Sequence, residues 1–305
     1  MKIFLDNVNV SSSSGPNGFA SKLIPELSED HEVHHSVESI IANSFIPDVQ
    51  ASFIFSNYKI APIVQRLDGI YFNSEQDFEN LNRPIESTYS IADAVIFQSE
   101  FNKRLTEKFF GKRDNSFVIS NGTPLDTIRD IPATSAEILD SFENLWMCAS
   151  SWRPHKRLKE NVRYFLEMSD KNDCLIIAGE NPDVRISDPR IFYAGHMSWL
   201  DMIALMKRSK YFLHLAWLDH CPNVVIDARA AGCKIICSSA GGTSEIAGTN
   251  SIVILEDEWD LSPVRLYEPP AMDFSKTTVC QVDSDIDIKN VSKKYIEVMS
   301  GVVKS

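Results

Sequence analysis

Short apolar runs alternate along this chain with longer amphipathic stretches and polar turns, the pattern of strands joined by crossover helices. Residues 2–5 predict a first strand, followed by a polar loop over 6–18 and a helix whose apolar positions include Phe19, Leu23, Ile24 and Leu27. Further strand-like runs lie at 32–37, 52–55, 63–65, 94–97 and 117–119. Residues 124–144 hold Pro124, Pro132 and a polar string, and predict a linker with room for one short helix. The alternation resumes at Leu145, with strands expected at 145–150, 174–178, 191–194, 211–215 and 251–255 and a helix at 200–207. Ile286, Ile288, Val291, Tyr295, Ile296 and Met299 have helical spacing and predict a closing helix over 285–303. No internal repeat is visible. The order predicts an α/β protein of open parallel sheets, which bind ligands at the carboxyl ends of their strands.

The densest stretch is 216–246, AWLDHCPNVVIDARAAGCKIICSSAGGTSEI. Pro222 suits a first helical position and Gly232 a left-handed stop, so a helix is expected from Pro222 to about Ala231. A strand follows at 234–237, then a glycine loop, Gly241 and Gly242, before Glu245. The helix start presents the amides of Asn223 and Val224 at the positive end of the helix dipole, where a phosphate binds readily. Asp219 precedes that start and Asp227 lies in its second turn. Two carboxylates repel a bare phosphate but accept hydrogen bonds from sugar hydroxyls, so the stretch points to a nucleotide sugar.

At these residues the sequence resembles the retaining glycosyltransferases of family 4 (glycosyl transferases group 1). Their hallmark is an acid, seven residues and a second acid, usually both Glu, then a small-residue helix end, a strand and a Gly-Gly-x-x-Glu loop. Here Asp219 and Asp227, each one methylene shorter, stand at that spacing, followed by Ala230, Ala231, Gly232 and by Gly241, Gly242 and Glu245. The resemblance implies the GT-B fold: two facing Rossmann-like domains with parallel sheets and a C-terminal helix crossing back to the first domain. Residues 1–140 would form the acceptor-side domain, 141–280 the nucleotide-sugar domain and 281–305 the returning helix.

The resemblance also implies roles. Asp227 would hold the ribose hydroxyls and Asp219 those of the transferred sugar, with Pro222, Asn223 and Val224 at the phosphate. In the turn SWRPHKR, Arg153 and Lys156 would bind the donor diphosphate, Arg153 standing three residues before Lys156 where five is common. Their charge-assisted bonds would strengthen as the diphosphate departs. Gly195, His196 and Met197 would lie near the base, and Gly15 and Gly18, in a loop that lacks G-x-G-x-x-G, near the donor phosphates. The Gln98 to Phe101 run and the Asn121-Gly122 turn have counterparts in the family. Arg66, Asp68 and Tyr71 would line the acceptor side.

The implied activity is metal-independent transfer of a sugar from a UDP-, GDP- or ADP-sugar to a hydroxyl acceptor such as a glycan, a lipid-linked sugar or a protein, without a cofactor. A nucleotide-sugar epimerase of the same fold and a protein that binds a nucleotide sugar without turning it over remain as alternatives.

Composition adds limits. With 305 residues the chain has room for two domains, and 44% hydrophobic with 24% charged residues is a globular composition. A net charge of -12 argues against nucleic acid or an anionic membrane bound by bulk charge. No run approaches a membrane span and no secretory leader is recognisable, so a cytoplasmic location is expected, with peripheral attachment to a membrane left open. The six cysteines form no C-x-x-C pair and are expected as buried thiols. Asp283, Asp285 and Asp287 spell D-x-D-x-D but fall where the closing helix needs acidic first residues. His31, His34 and His35 lack accompanying acids arranged for a metal, and no metal site is expected.

Overall fold

The computed structural model describes residues 1–12 and 14–304. The chain divides into two compact units: residues 1–124, 261–263 and 285–305 form unit 1, and residues 125–260 and 264–284 form unit 2.

Unit 1 contains β1 (Lys2–Asp6), α1 (Gly15–Ser28), β2 (Glu32–His34), α2 (Val37–Ala42), β3 (Val49–Phe53), β4 (Ile63–Leu67), α3 (Phe78–Ile91), β5 (Ala94–Phe97), α4 (Glu100–Phe110) and β6 (Ser116–Val118). Its six strands are all parallel, in the order β2-β1-β3-β4-β5-β6. β3, β4 and β5 are buried at every position, as strands covered on both faces must be.

Unit 2 opens with α5 (Leu125–Asp130) and continues with β7 (Leu145–Ala149), α6 (Leu158–Met168), β8 (Cys174–Ala178), β9 (Ile191–Gly195), α7 (Trp199–Arg208), β10 (Tyr211–His214), α8 (Asn223–Ala230), β11 (Lys234–Ser238), α9 (Thr243–Ile246), β12 (Ile252–Ile254) and β13 (Thr277–Val279). The strand order is β13-β12-β11-β10-β7-β8-β9, parallel except for β13. The chain reverses direction across the sheet beside β7 and β10, so the loops leaving these two neighbours open side by side at their carboxyl ends.

The closing helix α10 (Ile288–Lys304) belongs to unit 1, where Ile288, Val291, Tyr295 and Met299 share a core with Ile3, Leu5, Phe19 and Val49. Gly122 lets the chain enter this helix: a Cβ there would stand 2.9 Å from the Ile288 Cα.

The structure corrects several expectations. Gly18 is not in a loop; α1 already starts at Gly15, and the Gly18 amide donates to Ser14 O at 2.7 Å. Pro222 is the residue before α8 rather than its first, while Gly232 has the left-handed φ of 96° expected of it. The strand expected at 52–55 sits three residues earlier, because buried Gln50 and Ser52 carry the ladder and Ile54 turns out of it at a φ of 71°. In 32–37 the strand stops at His34, since Ser36 caps α2 by accepting from the Ser39 amide. The stretch 125–144 holds α5 and a 3-10 turn, Glu137–Ser141. β13 was invisible to hydropathy because its three residues are all exposed.

Candidate functional site

The loop after β7 builds the basic side of the site. Ala149 ends the strand, and Pro154–Lys156 form one 3-10 turn closed by the Lys156 amide on Arg153 O at 2.8 Å. Arg157 then takes a left-handed φ of 53° and leads into α6. The three cations diverge: Arg153 is exposed, Lys156 is half-buried, and Arg157 is buried. Arg157 makes two bonds to Glu256, at 2.8 and 2.7 Å, and a third to Pro270 O at 3.0 Å. It thereby ties the basic turn to the segment after β12, and sequence reasoning had no signal for this pair 99 residues apart.

The loop after β10 builds the acidic side. Lys156 Nζ lies 2.6 Å from Asp219 Oδ2, bringing together two of the expected site residues. His214 Nε2 reaches the same oxygen at 2.9 Å, and the His220 amide donates to Asp219 Oδ1 at 3.0 Å. Burial opposes ionisation of Asp219, but Lys156 and His214 outweigh it and hold the carboxyl well below the usual range. Burial drives His214 below its ordinary pKa against the pull of Asp219. His155 and His220 are likewise lowered by burial, His155 with a further push from the Lys156 charge and His220 against the pull of Asp219, to about 3 and about 4. All three imidazoles are therefore neutral near pH 7.

The glycine loop meets Asp219 through the backbone. The Gly242 amide donates to Asp219 O at 2.7 Å, and the Leu218 amide to Ala240 O at 3.2 Å. Gly241 has a φ of 103°, and a Cβ there would sit 2.6 Å from Asp219 O. Close backbone approach is what this glycine provides, with the chain itself as the partner. Gly179 does the same at the end of β8, where a Cβ would stand 1.8 Å from Ser150 O. Glu245 lies in α9, its amide bonded to Gly242 O at 3.2 Å.

α8 starts at Asn223 without a side-chain cap, beside half-buried Val224 and next to buried Pro222. Asp227, one turn in, is 2% exposed, and its Oδ2 accepts the Trp199 indole N–H at 3.0 Å. Gly195 ends β9 with open space where a Cβ would be, His196 is exposed 3.6 Å from Glu180, and Met197 is half-buried. Among the described residues no group of three His, Cys, Asp or Glu is arranged to hold a metal ion, and the six cysteines are buried thiols outside any disulfide.

In unit 1 the acceptor-side candidates separate. Tyr71 is exposed and its backbone is held by Asn82. Arg66 is 1% exposed, packed over the rings of Phe19 and Phe53. Its guanidinium bonds to Asp68, to Tyr295 OH at 3.1 Å and to Asn121 Oδ1 at 2.7 Å, and Asn121 passes a bond on to Gln98 at 3.0 Å. The two short motifs noted at 98 and 121 thus converge on one buried arginine. That guanidinium braces the carboxyl ends of β4 and β5, and Asp68, pushed up by burial despite its cation, is the more accessible of the pair. Gly15 is exposed at the start of α1.

Sequence reasoning passed over His214 and Trp199. A single histidine inside the apolar run YFLHLAW was the one available signal for the first.

No protein-family model matches the sequence, and no curated protein matches it. Solved structures do. HepE from Anabaena, in complex with UDP and glucose, is similar with a TM-score of 0.68 at 14% identity, over 99% of this chain and 100% of that one. Sucrose-phosphate synthase from Thermosynechococcus elongatus matches with a TM-score of 0.67 at 11% identity, over 100% of this chain and 96% of that one. The catalytic domain of Arabidopsis thaliana starch synthase IV, bound to ADP and acarbose, gives 0.66 at 10%, over 100% and 99%. The class defined by two mostly parallel α/β sheets and this strand order is the GT-B fold of glycosyltransferases. Among the described residues no helix is long and apolar enough to cross a membrane.

Proposed function

We propose that the chain is a retaining glycosyltransferase of family 4 that moves a sugar from a nucleoside-diphosphate sugar to a hydroxyl acceptor without a metal ion. The observation that carries the reading is the contact between Lys156 and Asp219 at 2.6 Å, formed by two loops at neighbouring strand ends beside an uncapped helix start. A cation, a dipole end and a carboxylate there suit a diphosphate bearing a sugar. The likeness in fold to HepE, solved with UDP-glucose, supports the same reading.

Lys156 and Arg153 act on the diphosphate, gaining interaction as the leaving group gains charge, which lowers the barrier rather than merely binding substrate. Asp219 accepts from the hydroxyls of the transferred sugar, and Asp227 with Trp199 borders the ribose. The departing phosphate takes the acceptor proton, so no side chain serves as base. Gly195, His196 and Met197 lie toward the base, and Asp68 and Tyr71 belong to the acceptor side. The protein works in the cytoplasm, where nucleotide sugars are its donors.

The test is product analysis with labelled UDP-, GDP- and ADP-sugars and a panel of hydroxyl acceptors. Transfer with retained anomeric configuration in the presence of a chelator supports the reading. A changed sugar without transfer identifies an epimerase, and binding without product identifies a non-catalytic protein.

A further inference from the structure

His214 is the last residue of β10, an interior strand flanked by β11 and β7 and otherwise built from apolar side chains. An imidazole buried among Phe212, Leu213 and Leu215 is costly unless its polar atoms find partners. Its Nε2 finds Asp219 Oδ2 at 2.9 Å. An ionised carboxylate donates nothing, so Nε2 carries the hydrogen and His214 is the donor.

Asp219 Oδ2 then receives two donors, Lys156 and His214, and has no lone pair to spare. Oδ1 receives the His220 amide and keeps one accepting direction. The three donors differ in constancy. Lys156 stands on a flexible four-carbon stem and is the cation a diphosphate attracts, whereas His214 is fixed by the strand and 5% exposed.

We propose that His214 is the positioning residue of the site: it fixes the rotation of the Asp219 carboxylate so that Oδ1 meets a hydroxyl of the transferred sugar while Lys156 turns to the diphosphate. The proposal rests on the glycosyltransferase reading. It explains why an aspartate serves at this place, because a short carboxylate reaches its working position only when a second side chain holds it.

The experiment compares the full chain with His214→Leu and His214→Gln. UDP-, GDP- and ADP-glucose serve as donor probes, nucleoside-diphosphate release gives kcat and KM, and calorimetry gives the Kd of the free nucleoside diphosphate. His214→Leu is expected to lower kcat about tenfold to a hundredfold, the scale of a misplaced reacting group, with the Kd within about twofold of the parent. His214→Gln, which keeps an N–H, recovers most of that loss. Should His214→Leu fail to fold, His214→Met, which matches Gln in length and lacks the N–H, carries the same comparison.

Parent-like kcat in the variant without an N–H overturns the proposal and leaves the glycosyltransferase reading standing. So does an equal loss in the Gln, Leu and Met variants accompanied by a matching loss of nucleotide affinity, which marks a packing role alone. A parent that turns over none of the three donors removes the reading and the proposal together.

Discussion

Lys156 and Asp219, 63 residues apart, meet at 2.6 Å because the loops that carry them leave adjacent parallel strands. Neither loop makes the contact by itself. The 3-10 turn aims the lysine, and the pairing of Asp219 with Gly241 and Gly242 aims the carboxylate. The geometry yields a partly buried ion pair at the carboxyl ends of two interior strands, the place where the proposed donor diphosphate would compete with Asp219 for the lysine.

Lys156→Ala is expected to cost about 2–3 kcal/mol of transition-state stabilisation, the scale of one lost charge-assisted contact to a developing anion. The thermal midpoint should fall only modestly, because the lysine is partly exposed and His214 still donates to Asp219. Steady-state kinetics with the preferred donor reads the effect, and an unchanged kcat/KM removes Lys156 from the site.

Asp227→Ala is expected to weaken the free nucleoside diphosphate, read by calorimetry. Trp199→Phe should weaken it less, since the indole only holds the carboxylate through one bond of 3.0 Å. Equal affinity in Asp227→Ala and the parent contradicts the ribose role.

Arg157→Ala is expected to destabilise unit 2 by about 3–5 kcal/mol, because it strands the buried Glu256 carboxylate without its cation. Arg157→Ala combined with Glu256→Ala should recover part of the loss. Urea unfolding measures both, and a single variant as stable as the parent refutes the strut.

Gly241→Ala combines a φ of 103° with a Cβ 2.6 Å from Asp219 O, so the loop must move. A stability loss of about 1–3 kcal/mol is expected from the backbone alone. Donor turnover should fall with it, as Asp219 is displaced. Full activity in this variant means that the glycine loop does not set the carboxylate.

Acid should weaken the fold earlier than carboxylate titration requires. His155 and His220 titrate at about 3 and about 4 in the folded chain, below the ordinary value near 6.5 they regain on unfolding. The unfolded chain therefore binds more protons. Stability is complete above pH 6.5 and declines as pH falls toward 4, by up to about 1.4 kcal/mol per pH unit for each such histidine. Asp219, held below its ordinary value, adds its loss only under about pH 4. Urea midpoints at pH 7.5, 6 and 5 follow the decline, and His155→Phe should flatten it. Equal midpoints at the three values contradict the assignment.

Much of the fold was legible because parallel strands covered on both faces are continuous apolar runs, as in LWMCA of β7 or CLIIA of β8. β3 shifted because its polar Gln50 and Ser52 are paired inside the sheet, and β13 was missed because it has no buried face. The Asp219 and Asp227 spacing, the turn around Lys156 and the Gly241-Gly242 pair could be seen in the sequence because each lies within one short stretch of chain. His214, Trp199 and the partnership of Arg157 with Glu256 depend on contacts across 5, 28 and 99 residues, which only the folded chain brings together. Arg66 shows the converse: a charged residue after a strand suggested the acceptor side, yet its guanidinium is spent inside unit 1 on Tyr295 and Asn121.

The most direct measurement is nucleoside-diphosphate release from UDP-, GDP- and ADP-sugars by the parent chain and by Lys156→Ala, with a hydroxyl acceptor panel present. The account predicts donor-dependent release by the parent with a transferred sugar as product, and a loss of about thirtyfold or more in the variant, the kinetic equivalent of about 2 kcal/mol. Equal rates in parent and variant, or no release from any donor, would contradict it.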